Sequence, residues 1–217
     1  NLEFCEQNKE LVMNVNCNAL RSISKLANQF NSFLITISTD QVFDGSKGNY
    51  KESDKICPIN YYGKTKAEGE KIVQSISKKY CIIRTSMLWG KNKTRNTFSE
   101  FILDEVKNKK ELKLITDQFT CPTYLENFCE MFTEIIKREI LGIIHLSGPE
   151  KLSRYDFGIK ILKSTNNKKI IASNRNEFNF GKHMPEDTSL NTDKVRKLLR
   201  CNPEEVNISI EKYLKNN

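Results

Sequence analysis

Two apolar runs of strand length constrain this chain more than any other feature: Phe33-Leu34-Ile35-Thr36-Ile37-Ser38 and Tyr80-Cys81-Ile82-Ile83-Arg84-Thr85. Neither alternates cleanly between polar and apolar residues, as a strand with one wet face would. Both suit parallel strands covered on two faces. Between them, Tyr61 to Lys78 has helical spacing, with Ala67, Ile72, Val73 and Ile76 on the inward side. Ahead of them, residues 8–30 carry an apolar stripe through Leu11, Val12, Val15, Ala19, Ile23, Leu26, Ala27 and Phe30.

The alternation continues. Helices are predicted over 98–108, 124–138 and 153–164, and strands over Leu112 to Ile115 and Gly142 to Leu146. A loop-rich stretch follows at 165–190, then closing helices at Asp193 to Leu199 and Glu205 to Leu214. Strand alternating with helix gives the α/β class with a mainly parallel sheet. Residues 1–150 are expected to carry the sheet, and residues 151–217 a small lobe intertwined with it. In such sheets ligands bind beyond the carboxyl ends of the strands, here the loops that start at Ser38 and Thr85.

Composition narrows the function. The net charge is +8, but the basic residues are scattered, and 27 Lys against 8 Arg beside 23 Asn suggests biased codon usage. Lys107, Lys109 and Lys110 read as a solvated helix end. Without aromatic residues interleaved among basic ones, no nucleic-acid surface is expected. No apolar run approaches the ~20 residues of a membrane helix. The start, Asn1-Leu2-Glu3-Phe4-Cys5-Glu6, is no signal peptide, and its lack of Met suggests a fragment or processed chain. The seven cysteines form no CxxC, which argues against a disulfide scaffold and a zinc site and for reduced thiols in the cytoplasm. His145, in an apolar strand pattern, reads as structural, and no metal is expected.

The chemistry lies in two segments. The first strand runs into Ser38-Thr39-Asp40-Gln41, and the next helix opens with Tyr61-Tyr62-Gly63-Lys64-Thr65-Lys66. Tyr62 and Lys66 are four apart and share a helical face. A free tyrosine has a pKa of ~10. A nearby ammonium favours phenolate and is expected to lower it. Tyr62 can then act as general acid toward a substrate oxygen, and the Thr39 hydroxyl can hydrogen-bond that oxygen as charge develops.

With these residues in hand, the sequence resembles the dTDP-4-dehydrorhamnose reductase family of extended short-chain dehydrogenases. The match runs through Ile37 to Gly45 and Pro58 to Glu70. It continues through Arg84-Thr85-Ser86, Asp117-Gln118-Phe119 with Pro122-Thr123, Gly142 to Gly148, and Pro185 to Leu199. The resemblance implies a Rossmann-like fold, NADPH or NADH as hydride donor, and a nucleotide-activated 4-keto deoxysugar as substrate. It makes Thr39, Tyr62 and Lys66 catalytic. It gives Ser38, Tyr62, Lys66 and Thr85 to the cofactor, and Thr39, Phe43, Ser86, Met87 and Asn96 to the sugar. Asp117 and Gln118 are as well explained by organising a loop. A homodimer is kept open; no membrane or nucleic-acid partner is implied.

The chain also departs from the family. Its nine glycines include no GxGxxG or GxxGxxG. The Gly-rich turn that approaches a cofactor pyrophosphate, with about 60 residues of two ~30-residue units, is therefore expected to be missing upstream, so that the N-terminal strands are lacking. Met87 stands where the family usually has Trp, and Gln41 where Tyr is commoner. Two alternatives stand beside the reductase. One is a nucleotide-sugar epimerase or dehydratase. The other is a non-catalytic subunit like the regulatory subunit of methionine adenosyltransferase, which resembles the same family.

Overall fold

The structure, a computed structural model, describes residues 2–92, 94, 96–108, 111–163, 170–178 and 181–215. Lys109, Lys110 and residues 165–169, 179 and 180 of the expected loop lie outside the described residues.

The chain opens with α1 (Leu2–Gln7), α2 (Lys9–Met13), a π-helical turn (Asn14–Asn18) and α3 (Ala19–Gln29). Strand β1 (Leu34–Thr39) follows, then α4 (Tyr61–Ile76), β2 (Tyr80–Thr85) and the short β3 (Leu88–Trp89). Next come α5 (Phe98–Lys107), β4 (Leu112–Ile115), β5 (Phe119–Thr120), β6 (Thr123–Tyr124), α6 (Leu125–Arg138) and β7 (Gly142–His145). The remainder is β8 (Leu152–Ser153), α7 (Arg154–Leu162), β9 (Ile170–Ser173), α8 (Asp193–Leu198) and α9 (Val206–Lys215).

β1, β2 and β7 form a parallel sheet in the order β1-β2-β7. Residues 81 and 83 of the central strand pack with Phe128, Met131 and Ile135 of α6 and Val195 of α8. Full burial of each such large side chain is worth ~1.5–3 kcal/mol. On the opposite face, Arg84 reaches Glu70 of α4. The expected class therefore holds: an α/β fold built on parallel strands covered on both faces.

A second core joins Trp89, Ile102, Leu112 and Leu114 to Phe157, Ile161, Val206 and Tyr213. It draws on both the middle and the end of the chain. Here β4 pairs in parallel with β9, within the stretch expected to be loop. A strand of four residues with a partner so distant in sequence leaves little local signal.

The first helical segment also corrects an expectation. Its apolar stripe is exposed, with Leu11 at 53 %, Val15 at 62 % and Phe30 at 71 %. Of that stripe Val12 is buried, and the buried face is completed by Cys17 and Ser24. Small side chains let this helix lie close to α4: a Cβ on Gly69 would stand 2.7 Å from the Asn16 carbonyl oxygen. Cys17 donates to the Thr65 carbonyl at 3.2 Å, and the Asn16 amide to the Thr65 hydroxyl at 3.0 Å. Phe101 likewise lies outward on α5, at 43 % exposure.

Candidate active site

Thr39 and Thr85 are register partners at the carboxyl ends of β1 and β2, where the fold rule places a ligand. Thr39 caps the turn that follows, accepting from the Gln41 N–H at 3.2 Å.

The start of α4 is fixed to that turn. Asn60 is the N-cap, accepting from the Gly63 N–H at 2.8 Å, a bond that satisfies one of the free donors of a helix start. The Asn60 amide donates to the Gln41 side chain and to the His183 carbonyl, both at 3.1 Å. Glu6 of α1 accepts from the Tyr61 N–H at 2.7 Å. Gly63 is required by contact: a Cβ there would fall 2.1 Å from the Gln41 carbonyl oxygen. This close approach brings the Tyr62 side chain beside that of Thr39.

The electrostatics differ from the expectation. Burial pushes the Tyr62 phenol up, only partly offset by the Thr39 hydrogen bond, and the Lys66 charge is not among the causes. A half-buried phenol is costly to ionise, so desolvation sets the direction. Burial also pulls Lys66 below its ordinary value, with the Glu70 carboxylate opposing.

Asp40 organises the space behind Thr39. It is 4 % exposed. It accepts from Thr39 at 3.0 Å, and from Ser86 and Thr188 at 2.7 Å each. Burial raises its pKa against these hydrogen bonds. Ser86 also accepts from the Cys121 N–H at 3.3 Å, so this hydroxyl is held from two sides.

The other expected site residues separate into two groups. Tyr62, Lys66, Met87 and Asn96 retain exposed surface. Thr85 is buried, and its hydroxyl has no hydrogen-bond partner among the described residues. A buried polar atom in that state is suited to an arriving ligand. Asn96 lines a cavity of about 330 Å³ with Leu88, Trp89, Thr97, Phe98 and Leu125; its amide donates to Asp104 at 3.1 Å. By contrast, Ser38 and Phe43 face inward. The Ser38 hydroxyl donates to Glu70 at 2.5 Å. Phe43 is fully buried, stacked on Tyr50 at 4.1 Å. These two therefore support the site from beneath.

Sequence reasoning missed several members. Arg154, at the start of α7, donates to Gln118 at 3.0 Å, lies over Phe98 at 5.0 Å and stands 3.9 Å from the Met87 sulfur. Burial lowers its pKa, and Asp40 opposes that. Asp117, by contrast, was named from the sequence as a loop organiser, and it pairs with Arg175 at 3.4 Å and accepts its N–H at 2.7 Å. Asn60, directly before an amphipathic stretch, was a readable cap signal. Arg154 and Thr188 had none, because their neighbours are distant in sequence. Among the described residues no cluster of His, Cys, Asp and Glu could hold a metal, and no helix is long and apolar enough to cross a membrane.

A family model described as the RmlD substrate binding domain matches residues 1–217. The chain is 36 % identical over 164 residues to dTDP-4-dehydrorhamnose reductase of Aggregatibacter actinomycetemcomitans, covering 72 % of this chain and 55 % of that protein. It is 29 % identical over 209 residues to the Escherichia coli K12 protein of that name, covering 90 % and 69 %. The crystal structure of dTDP-4-dehydrorhamnose reductase from Bacillus anthracis, in complex with NADP, superposes with a TM-score of 0.92. That pair is 26 % identical, with 99 % of this chain and 76 % of the other covered. The chain thus spans 55 % of the first relative and 69 % of the second.

Proposed function

From the premise that the chain belongs to the dTDP-4-dehydrorhamnose reductase family, through its match to the RmlD substrate binding domain, we propose that it serves an NAD(P)H-dependent reductase. The reaction is reduction of the 4-keto group of a nucleotide-activated deoxysugar, with dTDP-4-dehydro-rhamnose going to dTDP-rhamnose. The observation that carries this reading is the placing of Tyr62, at the start of α4, beside Thr39 at the carboxyl end of β1, with Lys66 one turn along the same helix face.

The residues present fit a nicotinamide cofactor: the half-buried Lys66 follows Tyr62 on α4, and the Thr85 hydroxyl at the end of β2 has no hydrogen-bond partner among the described residues. When bound, the cofactor supplies a hydride to the carbonyl carbon. Tyr62, kept protonated by burial, gives its proton to the carbonyl oxygen as negative charge develops there. Thr39 shares that oxygen and positions it. The Lys66 ammonium steadies the phenolate that Tyr62 becomes and takes the nicotinamide ribose hydroxyls. Met87 and Asn96 contact the substrate, while Ser86 and Phe43 hold the surrounding side chains in place. Arg154 offers a guanidinium suited to a diphosphate. A cytoplasmic location, to which the free thiols are suited, and a homodimer belong to the same reading.

The test is NADPH and NADH oxidation by the protein in its natural full length, with dTDP-4-dehydro-rhamnose as acceptor and the product identified by mass spectrometry. Sugar-dependent oxidation yielding dTDP-rhamnose is expected. Folded protein that binds both ligands without turnover would overturn the catalytic reading and favour a non-catalytic subunit.

A further inference from the structure

The cavity of about 330 Å³ around Asn96 is lined by none of Thr39, Tyr62 and Lys66. Leu88, Trp89, Phe98 and Leu125 give it apolar walls, and Asn92 and Asn96 add two amides. Phe98 also borders the reaction site. The Arg154 guanidinium lies over its ring at 5.0 Å and stands 3.9 Å from the Met87 sulfur. Met87 follows Ser86, whose hydroxyl donates to Asp40, the neighbour of Thr39. The volume is at the small end of the ~300–1,000 Å³ of ligand pockets. It suits one ring system rather than a whole nucleotide sugar.

Internal bonds fix which way both amides turn. Asn92 Oδ1 accepts from the Thr94 N–H and from the Thr94 hydroxyl, each at 3.0 Å, so the Nδ2 hydrogens of Asn92 are left to donate. Asn96 Nδ2 donates to Asp104 at 3.1 Å. A carboxylate gives nothing to a carbonyl, so Asn96 Oδ1 is left to accept. Among the described residues neither group has another side-chain partner. We propose that this cavity receives the base of the nucleotide-activated sugar, and that Asn92 and Asn96 select a pyrimidine whose edge sets a carbonyl beside an N–H, as thymine and uracil do. The proposal rests on the reductase reading, which supplies the nucleotide.

The chemistry of the two edges matches. Asn92 donates to the ring carbonyl at position 4, and Asn96 accepts from the N–H at position 3. Cytosine carries an amino group at position 4 and a bare nitrogen at position 3. Its donor would then meet the Asn92 donor, and its acceptor the Asn96 acceptor. Polar groups left unpaired in this way cost more than a hydrogen bond gains. The apolar walls take the faces of the ring and the thymine methyl, whose burial is worth ~0.8 kcal/mol per carbon. Both amides lie in the segment between β3 and α5. One loop therefore carries the choice of base, while β1, β2 and α4 carry the reaction.

The experiment reads binding alone. The protein in its natural full length is titrated with dTDP, dUDP and dCDP by calorimetry. It is expected to bind dTDP at least about tenfold more tightly than dCDP. dUDP keeps the edge and lacks only the methyl, so it is expected within about tenfold of dTDP. Asn92→Asp keeps the oxygen that Thr94 bonds and turns the donor into an acceptor for a 4-amino group. Asn92 is exposed, so the fold is retained, and the preference for dTDP over dCDP is expected to vanish or reverse. Asn207→Asp, at an exposed amide on α9, is expected to leave that ratio in place. Equal binding of dTDP and dCDP by the parent, dUDP binding as weak as that of dCDP, or an unchanged ratio in Asn92→Asp overturns the proposal. Binding of none of the three overturns the nucleotide-sugar reading as well, which tells the two failures apart.

Discussion

Tyr62 on α4 lies beside Thr39 at the end of β1, and the Thr39 hydroxyl donates to Asp40 at 3.0 Å. Replacing Tyr62 by Phe keeps the ring and removes the proton. Turnover of the full-length protein is expected to fall by about 10²–10⁴, with KM little changed. Thr39→Ala is expected to cost about 10²–10³ in kcat, the usual range for one lost hydrogen bond to a developing oxyanion. Normal kcat in Tyr62→Phe would remove the mechanism.

Gly63 is a second test of the same geometry. In an ordinary helix, Gly→Ala adds ~0.5–1 kcal/mol of stability. At Gly63 the new methyl would meet the Gln41 carbonyl oxygen at 2.1 Å, and overpacking of this kind costs ~1–3 kcal/mol. Gly63→Ala should therefore lower the urea midpoint and separate Tyr62 from Thr39. A higher midpoint would show that the close approach is absent.

His145 predicts an acid response. It is fully buried, and burial with the adjacent Arg84 charge lowers its pKa from 6.5 to about 3. The unfolded chain takes up this proton near pH 6.5, and the folded chain does so only near pH 3. The contribution to stability is thus whole above the unfolded value and lost as pH falls through the window between them. It amounts to several kcal/mol at most, at ~1.4 kcal/mol per pH unit. Denaturant titrations of His145→Gln should show a shallower loss between those limits than the parent protein. Parallel pH profiles would contradict the assignment.

The cysteines divide by environment. Cys57 and Cys129 are exposed, whereas Cys5, Cys17, Cys81 and Cys121 are buried. Burial pushes the Cys81 and Cys121 thiols up to about 12, which removes the reactive thiolate near neutrality. Alkylation of the native protein followed by peptide mapping should mark Cys57 and Cys129 first. The buried four should react only after denaturation, and early labelling of Cys121 would refute its placement.

The sheet and the helices around it were legible because apolar periodicity is local. The runs at Phe33 and Tyr80 became β1 and β2 within a residue at each end. The outward face of the first helix was not legible. Periodicity reports that a helix has an apolar side, but close backbone approach can bury a different one, as Asn16 and Gly69 do here. Tyr62 and Lys66 stood out only together with Thr39 and the α/β order around them, and the direction of the Tyr62 shift depended on desolvation, which spacing does not contain. Glu70 sat in plain view within the Pro58–Glu70 motif; its meaning required Arg84, brought near only by the parallel pairing of β1 and β2.

The hydrogen bond from Thr188 to Asp40 spans 148 positions, and that span sets a sequence of events. Thr39, Tyr62, Lys66 and Thr85 all fall within one strand-helix-strand unit, so closing a single loop can gather them. The bond to Thr188 needs the chain's far end to return, and loop-closure entropy grows with that length. In kinetic terms, the reactive side chains can meet before the clasp behind them is fastened. A ribosome making this chain would have to release almost all of it before Asp40 acquired its last partner.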